Sequence, residues 1–80
     1  MSKTLERVQR TLAKNLKAFR TECGLSQEAM ALEAGIDRTY ASQMERGIAN
    51  PSLAVLAKVA DVLECELVDL LVERSSSNNR

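Results

Sequence analysis

The 80-residue sequence contains no histidine and no tryptophan, and Phe19 and Tyr40 are its only aromatic residues. Histidine is the side chain that most often serves as a general base and as a metal ligand, so its absence removes both roles. Cys23 and Cys65 are far apart in the sequence and lack the spacing of zinc ligands. A Ser or Cys nucleophile would have no evident base beside it. We therefore expect neither an enzyme nor a metal or cofactor site.

The two cysteines have more than one interpretation. A free cysteine behaves as a small, mostly buried apolar residue in a reducing compartment. The simpler prediction is therefore that Cys23 and Cys65 are two buried free thiols. A disulfide or a redox switch is the alternative.

Long apolar runs are also missing, although hydrophobic residues make up 45% of the sequence. No segment approaches the roughly 20 apolar residues that a membrane-spanning helix requires. The beginning of the chain lacks the basic, apolar and small-residue order of a signal peptide. We expect one small domain in the cytoplasm, with a modest core of Leu, Val, Ala and Met.

The formal net charge is zero, but the charges are unevenly distributed along the chain. Residues 1–20 contain six basic side chains and one acidic side chain, whereas residues 61–73 contain five acidic side chains and no basic one. One end of such a molecule can bind phosphates while the other end stays acidic. A strong non-specific binder of nucleic acid would instead have an overall excess of positive charge.

Apolar residues recur at steps of three and four near the start of the chain, at Leu5, Val8, Leu12, Leu16 and Phe19. This spacing predicts one long helix from about Thr4 to Glu22, with Thr4 as its N-cap. Residues 1–3 are expected to be frayed.

The middle of the chain predicts two short helices joined by a tight turn. Ser26 is placed to cap a helix over residues 27–34, and Gly35 supplies the left-handed residue that ends it. Asp37 caps a second helix, which runs to Arg46 and is stopped by the glycine that follows. Two short helices with a glycine turn between them are typical of a helix-turn-helix motif.

The rest of the chain predicts two further helices and a polar tail. Pro51 disfavours helix in the residue before it, and Ser52 caps a fourth helix that runs to about residue 63. The expected buried face of this helix consists of Leu53, Leu56, Ala57, Ala60 and Leu63. A fifth helix is expected over residues 66–72. The chain is therefore predicted to be an all-α domain of five helices over residues 1–73, with a disordered polar tail at residues 74–80.

The third helix separates its side chains by face. Ala41, Met44 and Glu45 point one way at helical spacing and can pack on the rest of the protein. The opposite face carries a guanidinium, two hydroxyls and an amide, from Arg38, Thr39, Ser42 and Gln43. Arg matches the acceptors of guanine, Gln matches adenine and the Thr methyl matches that of thymine, so these four residues are predicted to read DNA bases. A solvated polar face is the alternative.

An ordered set of residues surrounds this motif: Leu25-Ser26-Gln27-Glu28, Ala31, Gly35-Ile36, Asp37-Arg38-Thr39-Tyr40, Glu45-Arg46-Gly47 and Asn50-Pro51-Ser52. With the Leu-rich helix downstream, the set resembles the phage-repressor family of Cro/CI-type helix-turn-helix proteins, also called the XRE family. The match runs from about Leu12 to Leu71 and implies a five-helix lambda-repressor-like fold. The run from Asp37 to Tyr40 also looks like the controller proteins of restriction-modification systems.

The sequence departs from the family pattern at three places. The family's first helix usually begins near Leu12, so residues 1–11 are an extension that packs on the domain, touches a partner chain or lies along the DNA. We favour packing or partner contact. Glu64 stands where the family usually has Gly, so it either strains the backbone or changes the turn. Ala41 stands where a bulky aliphatic residue is usual, and leaves room that a neighbour must fill.

Four polar residues around the reading helix are candidates for contacts with DNA phosphates. In the family, the residue matching Gln27 bonds a backbone phosphate and braces helix three. Tyr40, Arg46 and Asn50 flank the reading helix and are further candidates, and such contacts set orientation rather than sequence choice. The ring of Tyr40 is alternatively placed to cover the edge of the core.

The resemblance also implies a partly buried ion pair between Arg20 and Glu45, joining helix one to helix three. Glu45 lies on the inward face of its helix, where an unpaired carboxylate would be unfavourable. The pair is expected to orient the reading helix while contributing little net stability. Two separate surface charges are the alternative.

The function implied is sequence-specific binding of double-stranded DNA by a transcriptional regulator, with a restriction-modification controller as one possibility. One reading helix covers only half an operator, so a homodimer on a near-palindromic site is expected, with no small-molecule ligand. The dimer surface is predicted at Leu67, Val68, Leu71 and Val72, some of which must serve the core. An antitoxin or protein-interaction module of the same fold, and a phage-type repressor without its second domain, are the alternatives.

Overall fold

The structure is a computed structural model that describes residues 2–74. Its helices, in chain order, are α1 (Lys3–Glu22), α2 (Gln27–Ala34), α3 (Arg38–Glu45), α4 (Leu53–Leu63) and α5 (Leu67–Leu71). Within the described residues these are the only regular elements, and no strand occurs. The all-α class and the five helices are thus confirmed, and the predicted ends of helices three and five differ from the observed ends by one residue.

Three of the predicted N-caps have the expected geometry. The side-chain oxygen of Ser26 accepts from the Ala29 amide at 3.0 Å, and Asp37 accepts from the Thr39 amide at 3.0 Å. Ser52 caps α4 in the same way. Each bond satisfies an amide that has no partner within its own helix, and so fixes where the helix begins.

Near both ends of the described residues, side chains that the sequence did not single out make local contacts. Ser2, not Thr4, caps α1, because its hydroxyl accepts from the Leu5 amide at 3.1 Å and so starts the helix one residue earlier. The predicted fraying is therefore wrong for residues 2 and 3, and Met1 lies outside the described residues. At the other end, the Arg74 guanidinium lies 4.7 Å from the centre of the Phe19 ring. Arg74 is the first residue of the predicted tail, and residues 75–80 lie outside the described part of the chain.

The core lies where all five helices meet. Helix α1 packs against α3 and α5, and α2 packs against α3 and α4. The side chains that are fully buried there are Leu16, Met30, Met44, Val59 and Leu70. Ala41 is also completely buried, so its neighbours fill the space that a larger residue would occupy.

The buried face of α4 differs from the prediction at two positions. Leu53 is 71% exposed, because it is the first residue of the helix and lies beyond the edge of the core. Ala57 is also exposed. Val59 is buried instead, together with Leu56, and the spacing of the buried residues is still that of one helical stripe.

Asn15 is a buried polar residue whose role the sequence did not indicate. It lies on the apolar side of α1 and is only 4% exposed. Its amide group donates to the carbonyls of Asp69, Leu70 and Val72 at 3.2, 3.1 and 2.8 Å. These carbonyls lie at the end of α5 and lack partners within the helix, so Asn15 both caps α5 and attaches it to α1.

The turn between α4 and α5 keeps the left-handed conformation that glycine usually provides. Glu64 has φ 57° and ψ 45°, and within residues 2–74 it is the only residue other than glycine with a positive φ. Of the two outcomes expected at this departure from the family, the structure has the strained backbone and not a different turn. A side chain in this region costs about 1–2 kcal/mol.

Replacing Glu64 by Gly is therefore expected to raise the free energy of unfolding by about 0.5–1 kcal/mol, because relief of strain exceeds the added flexibility of the unfolded chain. Chemical denaturation measures this change. Glu64→Ala is the control, since it removes the carboxylate but keeps the Cβ atom. Equal stability of the Gly and Ala variants would contradict the assignment of strain.

Candidate nucleic-acid interface

Helix α3 presents one polar face to solvent because its other face is held in the core. Ala41 and Met44 are buried. Arg38 and Thr39 are exposed, and Ser42 and Gln43 are half-buried. One face of α3 therefore offers a free polar surface, and the opposite face is fixed to the body of the protein.

Three of the four predicted base-reading residues line one cleft. These are Arg38, Thr39 and Ser42, which together offer a guanidinium and two hydroxyls. Gln43 does not line this cleft, and its backbone carbonyl accepts from the Ile48 amide at 3.1 Å. A guanidinium and hydroxyls on the exposed side of one short helix are groups that can hydrogen-bond to base edges in a major groove.

Arg20 and Glu45 form a buried ion pair between α1 and α3. Their side chains are 11% and 4% exposed, respectively. Arg20 donates through Nε to Oε2 of Glu45 and through a terminal nitrogen to Oε1 at 3.0 Å, so the pair is bidentate. The remaining terminal nitrogen of Arg20 donates to the carbonyl of Leu25 at 2.8 Å. The guanidinium thus also holds the segment that leads into α2.

Gln27 joins the same carboxylate. Its side-chain amide donates to Oε1 of Glu45 at 3.0 Å. Because an ionised carboxylate can only accept hydrogen bonds, the NH2 end of Gln27 must be the end that faces it. Glu45 therefore connects the C-terminal end of α3 to α1 through Arg20 and to the N-terminus of α2 through Gln27.

The other phosphate candidates lie around the end of α3. Arg46 and Asn50 are exposed. Tyr40 is half-buried and packs against the core, which is the alternative position considered for its ring. Gln9, which the sequence did not single out, fixes the loop that follows α3, because its side-chain amide donates to the Ala49 carbonyl at 2.7 Å.

The predicted dimer residues divide into two groups. Val68 and Val72 are 57% and 52% exposed, and Leu32, Leu53 and Ile48 elsewhere on the surface are more exposed still. Leu67 and Leu71 are half-buried and pack against the core. The free apolar surface here is therefore formed by Val68 of α5 and by Val72, the residue directly after α5, and the two leucines serve the core.

The two cysteines are free thiols, but the prediction that both are buried is wrong. Cys23 is exposed and Cys65 is half-buried, because both lie at helix ends and not on an apolar face. Burial raises the pKa of the Cys65 thiol, and Asp69, Cys23 and Glu66 raise it further. The thiol form of Cys65 is thereby favoured over the more reactive thiolate.

Residues 2–74 contain neither a candidate metal site nor a membrane-spanning helix. No three His, Cys, Asp or Glu side chains come together there in a way that could hold a metal ion. None of the helices α1–α5 is both long enough and apolar enough to cross a membrane.

Comparison with known proteins identifies relatives over most of the chain. The model of a family described as helix-turn-helix matches residues 16–70. A hypothetical transcription factor of Neisseria meningitidis is 41% identical over 61 residues, which are 76% of this chain and 58% of that protein. In its crystal structure it superimposes with a TM-score of 0.84 at 36% identity, covering 90% of this chain and 84% of that one.

Restriction-modification controller proteins are also among the relatives. Control protein C.SmaI of Serratia marcescens is 32% identical over 73 residues, which are 91% of this chain and 87% of that protein. The crystal structure of controller protein C.AhdI from Aeromonas hydrophila has a TM-score of 0.75 at 39% identity, covering 78% of this chain and 94% of that one. Several curated relatives are longer: this chain covers 37% to 60% of three of them, and the Neisseria protein is one of the three.

The buried ion pair generates a stability prediction. Arg20→Ala leaves the Glu45 carboxylate buried with only Gln27 as a partner, and it removes the donor to the Leu25 carbonyl. Breaking one side of a buried pair costs about 3–5 kcal/mol, so we expect a loss of that order in thermal or chemical denaturation.

Glu22→Ala is the matched control for this loss. It removes the exposed ion pair between Glu22 and Arg74, whose atoms are 3.5 Å apart. An exposed pair contributes about 0–1 kcal/mol, so this variant should be nearly as stable as the wild type. Equal losses in the two variants would show that the Arg20–Glu45 pair is not a buried constraint.

Proposed function

This chain belongs to the helix-turn-helix family, and from that membership we propose that it is a transcriptional regulator that binds double-stranded DNA at a specific sequence. The single observation that carries the proposal is the exposed polar face of α3, held in place by the buried carboxylate of Glu45. A reading element needs both properties, since the side chains must reach the bases and their helix must not move. The proposal places the protein in the cytoplasm, where the DNA is.

The base-reading role is assigned to Arg38, Thr39, Ser42 and Gln43. Arg38 and Thr39 are the most exposed of the four and lie in the first turn of α3. The first turn of a recognition helix is the part that contacts base edges in helix-turn-helix proteins. Gln43 lies one turn further along and would contact a base beyond those reached by the first turn.

The phosphate contacts are assigned to Gln27, Tyr40, Arg46 and Asn50. Gln27 lies at the N-terminus of α2, where free backbone amides favour an anion. One side-chain N–H of Gln27 bonds Glu45, and the second N–H remains for a phosphate. Gln27 would then bridge a DNA phosphate and the carboxylate that orients α3.

We assign the dimer contact to Val68 of α5 and to Val72 directly after it. A symmetric dimer presents two reading helices to the two halves of a near-palindromic operator. Val68 and Val72 are large apolar side chains left open to solvent, as a surface that a second copy covers would be. Leu67 and Leu71 would support the contact from beneath.

Among the possible kinds of regulator, we favour a restriction-modification controller. The support is that C.SmaI aligns with this chain over most of both sequences, and that C.AhdI has the same fold at 39% identity. The resemblance of residues 37–40 to controller proteins agrees with this choice. On this proposal no small molecule controls the regulator, and its occupancy of the operator depends on its own concentration.

Selection from a random duplex DNA library tests the proposal. We expect a symmetric enriched sequence. Gln43→Ala should then lower the preference at one position of each half-site by about 1–3 kcal/mol, measured by competition between single-base variants of the selected site. A variant whose preferences are unchanged at every position would remove Gln43 from the reading residues.

Asn50→Ala is the control for this measurement, because Asn50 is an exposed phosphate candidate that takes no part in the hydrogen bonds to Glu45. Because a phosphate contact carries no sequence information, this variant should weaken binding to every duplex by a similar factor. An unenriched library would contradict DNA reading altogether. Retention of a protein from cell extract on the immobilised chain would then favour the interaction-module alternative.

A further inference from the structure

A row of basic side chains runs along the outer face of α1. Its five members, all exposed, are Lys3, Arg7, Arg10, Lys14 and Lys17. We call this row the α1 basic stripe. Consecutive members are separated by four, three, four and three residues, and this alternation keeps them on one side of a helix. The stripe is about 21 Å long at 1.5 Å per residue.

Within residues 2–74, the stripe lies away from the core and takes no part in its packing. The core side of α1 is formed by Leu12 and Leu16, and the stripe occupies the opposite side. Within residues 2–74, none of its five members takes part in an ion pair. Five neighbouring cations that pair with nothing repel one another, so the stripe is a surface that an anionic partner would stabilise.

The middle of the stripe forms a cleft. Arg7, Arg10 and Lys14 line it, and Thr11, Asn15 and Glu73 complete it. The three cations and the Thr11 hydroxyl are donors of the kind that phosphate groups accept from. Glu73 is an opposing charge at one edge, and it weakens the attraction of the cleft for an anion.

The α1 basic stripe borders the flank of α1 that contacts the loop after α3. Gln9, the residue before Arg10, holds the loop after α3 through the Ala49 carbonyl at 2.7 Å. A Cβ atom added at Gly47 would lie 3.7 Å from the Gln9 carbonyl, so the loop lies directly against α1. This loop leads to Asn50, one of the phosphate candidates. A duplex seated on α3 and the loop would therefore pass close to α1.

The other proposed contact residues supply little positive charge, and the stripe would supply more. The net charge is zero, and only Arg38 and Arg46 supply positive charge among the proposed contact residues of α3 and its loop. Proteins that bind DNA with high affinity commonly neutralise about 6–10 phosphates. We propose that the α1 basic stripe binds the phosphates of DNA that flanks the sequence read by α3. This inference rests on the proposed function and extends its contact surface.

The regular spacing favours a DNA backbone over other anions. A duplex presents phosphates at regular intervals along a surface longer than the stripe, whereas a free anion would need only the central cleft. The phosphates of one strand are separated by about 3.4 Å along the helix axis. A row of flexible Lys and Arg side chains can therefore engage several of them at once.

The experiment measures how the affinity for the selected operator depends on salt. The variant is Arg7→Gln/Arg10→Gln/Lys14→Gln, and Gln is a good helix former at these exposed positions. Each phosphate contact contributes about 0.9 to the slope of log affinity against log salt concentration. Because the variant removes three cations from each subunit of a dimer, the magnitude of the slope should fall by up to about 5. The preference between operator and single-base variants should not change. Circular dichroism checks that the variant remains folded.

Lys58→Gln is the matched control, because Lys58 is an exposed cation on α4, outside the stripe. It should leave the slope unchanged. If the wild type binds its operator and the triple variant has the slope of the control, the stripe proposal is wrong and the proposed function stands. If the wild type binds no DNA selectively, both are wrong.

Two other outcomes would overturn the proposal in favour of another occupant. Binding of a polyglutamate peptide that the triple variant loses, with the DNA slope unchanged, would assign the stripe to an acidic protein. Saturable binding of inorganic phosphate that the triple variant loses, again with an unchanged slope, would assign the central cleft to a free anion.

Discussion

The carboxylate of Glu45 is the group on which the arrangement of the first three helices depends. It is almost completely removed from solvent, so it must be paired, and its partners come from two different helices. Arg20 approaches from α1 with a planar guanidinium, and Gln27 approaches from the start of α2. Because both partners have fixed directions, α3 has little freedom to tilt or rotate. We regard this as a constraint on orientation and not as a source of stability, since desolvation offsets much of the attraction between buried charges.

On the proposed function, this constraint gives so small a protein a precise reading surface. The buried side of α3 is narrow, with Ala41 and Met44 as its only fully buried residues, so apolar packing alone would leave the helix poorly oriented. Contacts of α1 with the loop after α3 then fix the far end of the interface. On this account, α1 supports the reading helix on one side and offers its basic stripe to DNA on another. Sequence choice and electrostatic affinity are thereby carried by different helices.

The parts of the fold that follow from local chemistry could be predicted from the sequence. The caps at Ser26, Asp37 and Ser52 depend only on nearby amides, and the division of α3 into two faces depends only on helical spacing. Asn15 could not be assigned, because its three acceptors belong to α5, more than 50 residues away in the sequence. Leu53 was misplaced for a related reason. Its position in the helical stripe was correct, but the edge of the core is set by the packing of other helices. For the site itself, the ion pair between Arg20 and Glu45 was predicted from the resemblance to a family. Helical periodicity alone predicted only that Glu45 faces inward.

The measurement that tests the central claim most directly is the ability of a doubly substituted protein, Arg20→Met/Glu45→Leu, to discriminate its operator from single-base variants. Apolar side chains of similar volume often replace a buried ion pair without loss of stability, so we expect thermal unfolding within a few degrees of the wild type. Discrimination should nevertheless fall by at least about tenfold, or about 1.4 kcal/mol, because only apolar packing then fixes the direction of α3. Full discrimination in a protein of unchanged stability would contradict the account, and would mean that packing alone orients the reading helix.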